Sequence, residues 1–226
     1  MNWVKRLQGM LGLTRAMRDV ATPPPVRPKV LAIVHNPTVA VENDRRLTAV
    51  LGWHEPDDLI GQFVYDIEAA SHGYGCYDVV ERIVVDDFPV KADGFKYDAE
   101  SYLFRWRSRT GFHHPDGVDY PQILAQFDVV ERINSGDIDE VWLMGFPYAG
   151  YYESVLAGPG AFWCNAPPLA LAGAERPFVI MGFNYERGPG EMLESFGHRV
   201  ESIMAHVFRQ KEGASNLWQR FVRHEM

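Results

Sequence analysis

The chain has 226 residues, of which 46% are hydrophobic and 23% charged, with a formal net charge of −8 at pH 7. That length and composition suit one substantial globular core, and the acidic balance excludes a general nucleic-acid binder, which would carry a basic patch. No run approaches the ~20 apolar residues of a transmembrane helix. Lys5, Arg6, Arg15 and Arg18 interrupt any signal-peptide core, so as it stands the chain reads as cytoplasmic. Two cysteines, Cys76 and Cys164, make no disulfide framework and read as buried free thiols, Cys164 lacking an evident base for a nucleophile's role.

Residues 1–20 form a basic amphipathic segment with Trp3, Leu7, Met10, Leu11 and Met17 near one helical face. It would dock on a partner, a membrane surface or its own domain. A proline-rich linker, 21–29, leads into a single α/β domain over 30–226. Val30–Val34 is a short apolar run, expected for a strand covered on both faces. The polar loop after it carries Asn36, Glu42 and Arg45, which become ligand-binding candidates if the sheet is parallel.

Glu55-Pro56-Asp57-Asp58 opens a helix whose apolar residues are Leu59, Ile60, Phe63, Val64 and Ile67, closed by His72-Gly73. Tyr77–Val85 reads as a strand ending in Asp86-Asp87, a pair that suits either a metal or a turn. Tyr97–Arg107 reads as a short helix. The loop 111–117 brings His113 and His114, either of which could serve as a lone ligand or base. Pro121–Ile133 reads as one helix capped by Asn134-Ser135-Gly136. Its FDVVERI nearly repeats the strand's YDVVERI, and surroundings alone assign one copy to a helix and the other to a strand.

Asp139–Met144 is the next buried strand. The loop beyond it holds Tyr148, Tyr151 and Tyr152, which with Trp163 would either form a stacking platform for a sugar ring or plug the end of the sheet. The long ordered loop that follows, punctuated by Gly158-Pro-Gly160 and Ala166-Pro-Pro168, is of a length that usually serves function.

Phe178–Met181 is the last buried strand, and Gly182–Gly190 a glycine-rich loop bearing Asn184, Tyr185, Glu186 and Arg187. Pro189 suits the first position of the helix that follows. With about 100° per residue, Met192, Leu193, Phe196, Val200, Ile203, Met204 and Val207 share one face, while Glu191, Glu194, Ser195, His198, Glu201 and Ser202 share the other. Glu194, His198 and Glu201 are helical neighbours that could hold a divalent metal or supply acid–base chemistry; the same spacing also suits a solvated face with a Glu–His pair. A strand end meeting a helix start is where open α/β sheets bind ligands. There Glu186 would be a general acid or base and Arg187 an anion clamp, unless the two merely pair. Trp218, Phe221 and Val222 suggest a last short helix, and the chain then stops without a terminating element, as expected of part of a longer protein.

DEVWLMGFPYAGYYES, AGPGAFWCN and MGFNYERGPGEMLESFGHRVESIM resemble an uncharacterised bacterial protein family over most of residues 30–210. The resemblance implies no activity and transfers no catalytic residue. It does imply relatives that often extend further and are often exported.

The element order predicts a three-layer α/β fold with a mainly parallel, Rossmann-like sheet and long irregular loops. The expected function is hydrolysis of a polar, carbohydrate-type substrate by Glu186 and Arg187, with Glu194 and His198 in reserve and Asn184, Tyr185, Tyr148, Tyr151, Tyr152, Asn36, Glu42 and Arg45 binding it. The alternative is a non-catalytic glycan- or anion-binding module using the same loops. The expected partner is a small molecule or glycan.

Overall fold

The structure, a computed structural model, describes residues 23–222. The amphipathic segment 1–20 and the start of the linker lie outside the described residues.

The main strands are β1 (Lys29–His35), β4 (Asp78–Val85), β5 (Glu140–Gly145), β6 (Ser154–Ala157) and β7 (Phe178–Asn184), in the order β4–β1–β5–β7–β6. The first three and β7 are parallel, and β6 runs antiparallel along β7. From β1 the chain builds outward to β4 on one side, then returns to build β5 and β7 on the other. This reversal makes a topological switch point between the carboxyl ends of β1 and β5.

Alternating strand residues explain the three layers. Val30, Ala32, Val34, Trp142, Met144 and Met181 face one core with α2 (Pro56–Ala70), α3 (Ala99–Ser108) and α6 (Pro189–Val207). Leu31, Ile33, Val141, Leu143 and Ile180 face the other with α4 (Tyr120–Gln126) and α5 (Val129–Ser135). Both faces of β1 and β5 are covered, hence their continuous apolar runs. No helix among the described residues is long and apolar enough to cross a membrane.

Four local predictions are corrected. The helix over 121–133 is two helices, because Asp128 turns left-handed (φ 50°) between them. The loop taken to begin at Gly182 begins three residues later, since Gly182, Phe183 and Asn184 stay in the ladder beside Leu143, Met144 and Gly145. The long loop after β5 contains β6. The polar loop after β1 folds into a short hairpin, β2 (Thr38–Val39) with β3 (Arg45–Arg46), followed by α1 (Leu47–Leu51). These pieces are too short to show a hydrophobic period. The chain's last described element, α7 (Leu217–Val222), falls where the aromatic residues predict it.

One buried ion pair fixes α6 along the sheet. Arg199 reaches both carboxylate oxygens of Glu140, at 2.5 and 2.7 Å, and the Tyr77 hydroxyl joins at 3.3 Å. Glu140 begins β5, so α6 is tied at the amino edge while its own N-terminus projects over the carboxyl edge.

Candidate functional site

A cavity of about 540 Å³ opens over the carboxyl ends of β5 and β7. The first turns of α6, the end of α3 and the loops after α3 and β5 close its sides.

Its floor is set by glycine. A Cβ on Gly145 would lie 2.6 Å from the Tyr151 ring, and one on Gly182 would lie 2.4 Å from the Tyr152 carbonyl oxygen. Tyr151 can therefore lie across both strand ends. Its hydroxyl meets Nδ1 of buried His35 at 2.8 Å. Burial lowers the His35 pKa to about 4, against the pull of Asp87, and raises the Tyr151 phenol well above its ordinary range.

The switch point itself is filled. Tyr185 is fully buried, its hydroxyl proton shared between the carbonyls of Met144 (2.8 Å) and His35 (3.1 Å). The space for a ligand is thereby displaced one strand along, to β5 and β7.

Lys91 holds the wall. Its fully buried ammonium donates to the Asp116 carboxylate (2.6 Å), the Asp116 carbonyl (3.0 Å) and the Tyr148 carbonyl (2.5 Å). Burial lowers its pKa, and Asp116 opposes that shift. Tyr148 is left-handed (φ 63°) and stacks on Phe112, centroids 3.6 Å apart. Arg109 is left-handed as well (φ 57°), and its guanidinium lies 3.7 Å over the Trp106 ring. Non-glycine residues in this conformation are uncommon.

The lining charges differ in how they are satisfied. Asp116 is held by Lys91, Glu153 accepts from Asn165 at 2.5 Å, and Glu191 accepts from the Gly188 backbone N–H at 3.1 Å, closing the start of α6. The Glu186 carboxylate and the Arg109 and Arg187 guanidinium groups have no hydrogen-bond or ion-pair partner among the described residues. Arg107, two residues before Arg109, pairs with Glu42 at 2.8 Å. The buried Tyr102 phenol is within electrostatic reach of both Glu186 and Arg109.

Of the predicted site residues, Asn184, Glu186, Arg187, Tyr148 and Tyr151 line the cavity. Tyr185 instead belongs to the core. Asn36 is buried, its amide bonding Thr48 at both ends (3.0 and 3.2 Å) to hold α1, and does not line the cavity. Glu42 and Arg45 pair with each other at 3.4 Å on the hairpin, outside the cavity. Tyr152 is half-exposed outside the cavity, its ring parallel to that of Tyr120, and Trp163 is exposed elsewhere.

Glu194, His198 and Glu201 also lie outside the cavity, on an exposed helix face. His198 approaches Glu201 at 3.3 Å and Glu194 at 3.8 Å, and the hydrogen bond to Glu201 raises its pKa. Among the described residues no group of three or more His, Cys, Asp or Glu side chains is arranged to hold a metal ion. Ser195, assigned to that polar face by spacing, is buried and lines the cavity, its hydroxyl donating to the Glu191 carbonyl.

The remaining candidates are accounted for locally. Asp86 takes the Thr38 N–H and Arg46, and Asp87 takes Lys96, as a turn would. His113 stacks on Phe95 and bonds Asp93 at 2.7 Å. Cys164 is buried beside Ser154, its thiol pushed up by burial.

Trp106, Arg109, Phe112, Asp116 and Glu153 line the cavity although sequence reasoning singled out none of them for it. A lysine inside the apolar stretch FPVKADGF was the one available signal for the Lys91 anchor.

Fold and site together define an α/β protein with a ligand-sized cavity on the carboxyl edge of its sheet. The chain matches no protein-family model, and no curated protein or solved structure shows significant similarity to it.

Proposed function

We propose that the cavity binds a small polar ligand of carbohydrate type. The observation that carries this is the stacked aromatic wall Phe112–Tyr148 set among carboxylates around one open cavity. Aromatic rings cover the C–H faces of a sugar, and carboxylates accept its hydroxyl protons. Glu186, which lacks a partner, is the acceptor left for the ligand.

Hydrolysis is the catalytic form of the same proposal. Glu186 would move a proton at the scissile bond, and Arg187 would clamp an anionic group of the substrate. Its support is that Glu186 shares the cavity with Glu153, Glu191 and Asp116, so a second carboxyl group is at hand.

The test is a saturation-transfer NMR screen of mono- and disaccharides, followed by incubation of each bound sugar with the protein. Binding with cleavage that Glu186→Gln abolishes supports a hydrolase. Binding without cleavage makes this a glycan-binding module. If no sugar binds, the carbohydrate proposal falls.

A further inference from the structure

We infer that Arg109 reads an anionic group on the ligand, so that the preferred ligand is an acidic sugar, carrying a carboxylate or a sulfate. This rests on the carbohydrate-binding proposal above and names the class within it.

Three observations converge on Arg109. It follows the last residue of α3 at a left-handed cap, where its N–H closes the helix onto the Arg105 carbonyl. Glycine is usual at that conformation because it has no Cβ to strain. An arginine there is explained by what its side chain does.

That side chain is held by stacking. The guanidinium lies 3.7 Å over Trp106, which is almost fully buried and braced edge-on by Trp53 at 5.0 Å. Stacking uses the face of the guanidinium and leaves its N–H edge free, the edge that matches a carboxylate or sulfate bidentately.

The other arginines of α3 are spent elsewhere, while Arg187 lines the same cavity from the loop after β7. Arg105 donates to the Gly111 and Ser101 carbonyls, and Arg107 pairs with Glu42. Arg109 is exposed, lines the cavity and has no acceptor among the described residues.

The acids around it narrow the class further. A bare anion would meet repulsion from four lining carboxylates. A ligand with both hydroxyl donors and one anionic group avoids this, giving its protons to Glu186 and its charge to Arg109. An acidic sugar has that composition; a neutral sugar or a small inorganic anion has half of it.

The test uses protein with ¹⁵N-labelled tryptophan indoles, the Trp106 signal being assigned with Trp106→Phe. Glucose, glucuronate and N-acetylglucosamine 6-sulfate are titrated at fixed ionic strength. Arg109→Gly suits the left-handed backbone, so it removes the side chain without disturbing the end of α3.

At least tenfold tighter binding of one acidic sugar over glucose, brought down to the glucose level by Arg109→Gly, is the expected result. Which acidic sugar wins separates carboxylate from sulfate. Glucose binding as tightly as both acidic sugars would overturn the inference and leave the carbohydrate proposal standing. A preference for acid that survives in Arg109→Gly would overturn it too. If no sugar moves the Trp106 signal, both fall.

Discussion

The hydroxyl of Tyr151, on the loop after β5, meets Nδ1 of His35, at the end of β1, at 2.8 Å. The pair spans two neighbouring strands, Tyr151 lining the cavity and His35 buried beside it. It holds a histidine that the interior keeps neutral.

That neutrality has a pH signature. His35 titrates near 4 in the fold, lowered chiefly by burial, against 6.5 when free. The unfolded chain therefore binds a proton first as pH falls. The stabilisation is whole above pH 6.5 and is lost progressively down to about pH 4, amounting to about 3 kcal/mol. Urea unfolding at pH 7.5, 5.5 and 4 should show this component in the wild type, and His35→Gln should lack it. Equal pH slopes in both proteins would refute the assignment.

Lys91 and Asp116 should behave as a unit. Lys91→Met leaves Asp116 and the Tyr148 carbonyl without their donor; because the Asp116 side chain is 38% exposed, the loss should be about 1–3 kcal/mol. Lys91→Met combined with Asp116→Asn should recover part of the loss. A double-mutant cycle on thermal unfolding measures the coupling, and additive losses would mean the pair is incidental.

The glycines of the last strand and helix should separate sharply. Gly182→Ala drives a Cβ to 2.4 Å from the Tyr152 carbonyl, a backbone atom that cannot swing aside, and should cost about 1–3 kcal/mol. Gly197, inside α6, has nothing within 4 Å of an added Cβ. Gly197→Ala should stabilise by about 0.5–1 kcal/mol through helix propensity. Chemical denaturation of the two variants reads both signs, and a stabilised Gly182→Ala would show that the floor packs differently.

The exposed α6 face should prove inert. Glu194→Ala with His198→Ala removes an ion pair whose members are 66% and 45% exposed. Its melting temperature should stay within error of the wild type, and zinc or manganese should shift neither protein. A metal-induced shift abolished by the double variant would restore the helix face as a metal site.

Much of the fold is legible in the sequence because burial imposes periodicity. VLAIV, DEVWLM and FVIM announce strands covered on both faces, and the spacing of apolar residues from Met192 to Met204 announces α6. The near-repeat YDVVERI and FDVVERI marks the limit. One copy is edge strand β4; the other is interrupted at Asp128, and its last residues enter α5. Local propensity is the same in both, so the neighbouring layers decide.

By itself the sequence determined the layers, the mainly parallel sheet and the loop bearing Glu186 and Arg187. Tertiary structure alone decided which loops meet. Lys91 joins partners 25 and 57 residues away, and Tyr185 reaches across 150 residues to fill the switch point. Arg109 enters the cavity only because Trp106 and the end of α3 aim it there. Hydrophobic periodicity encodes which face of an element is buried, whereas a site depends on where separate elements come to rest against one another.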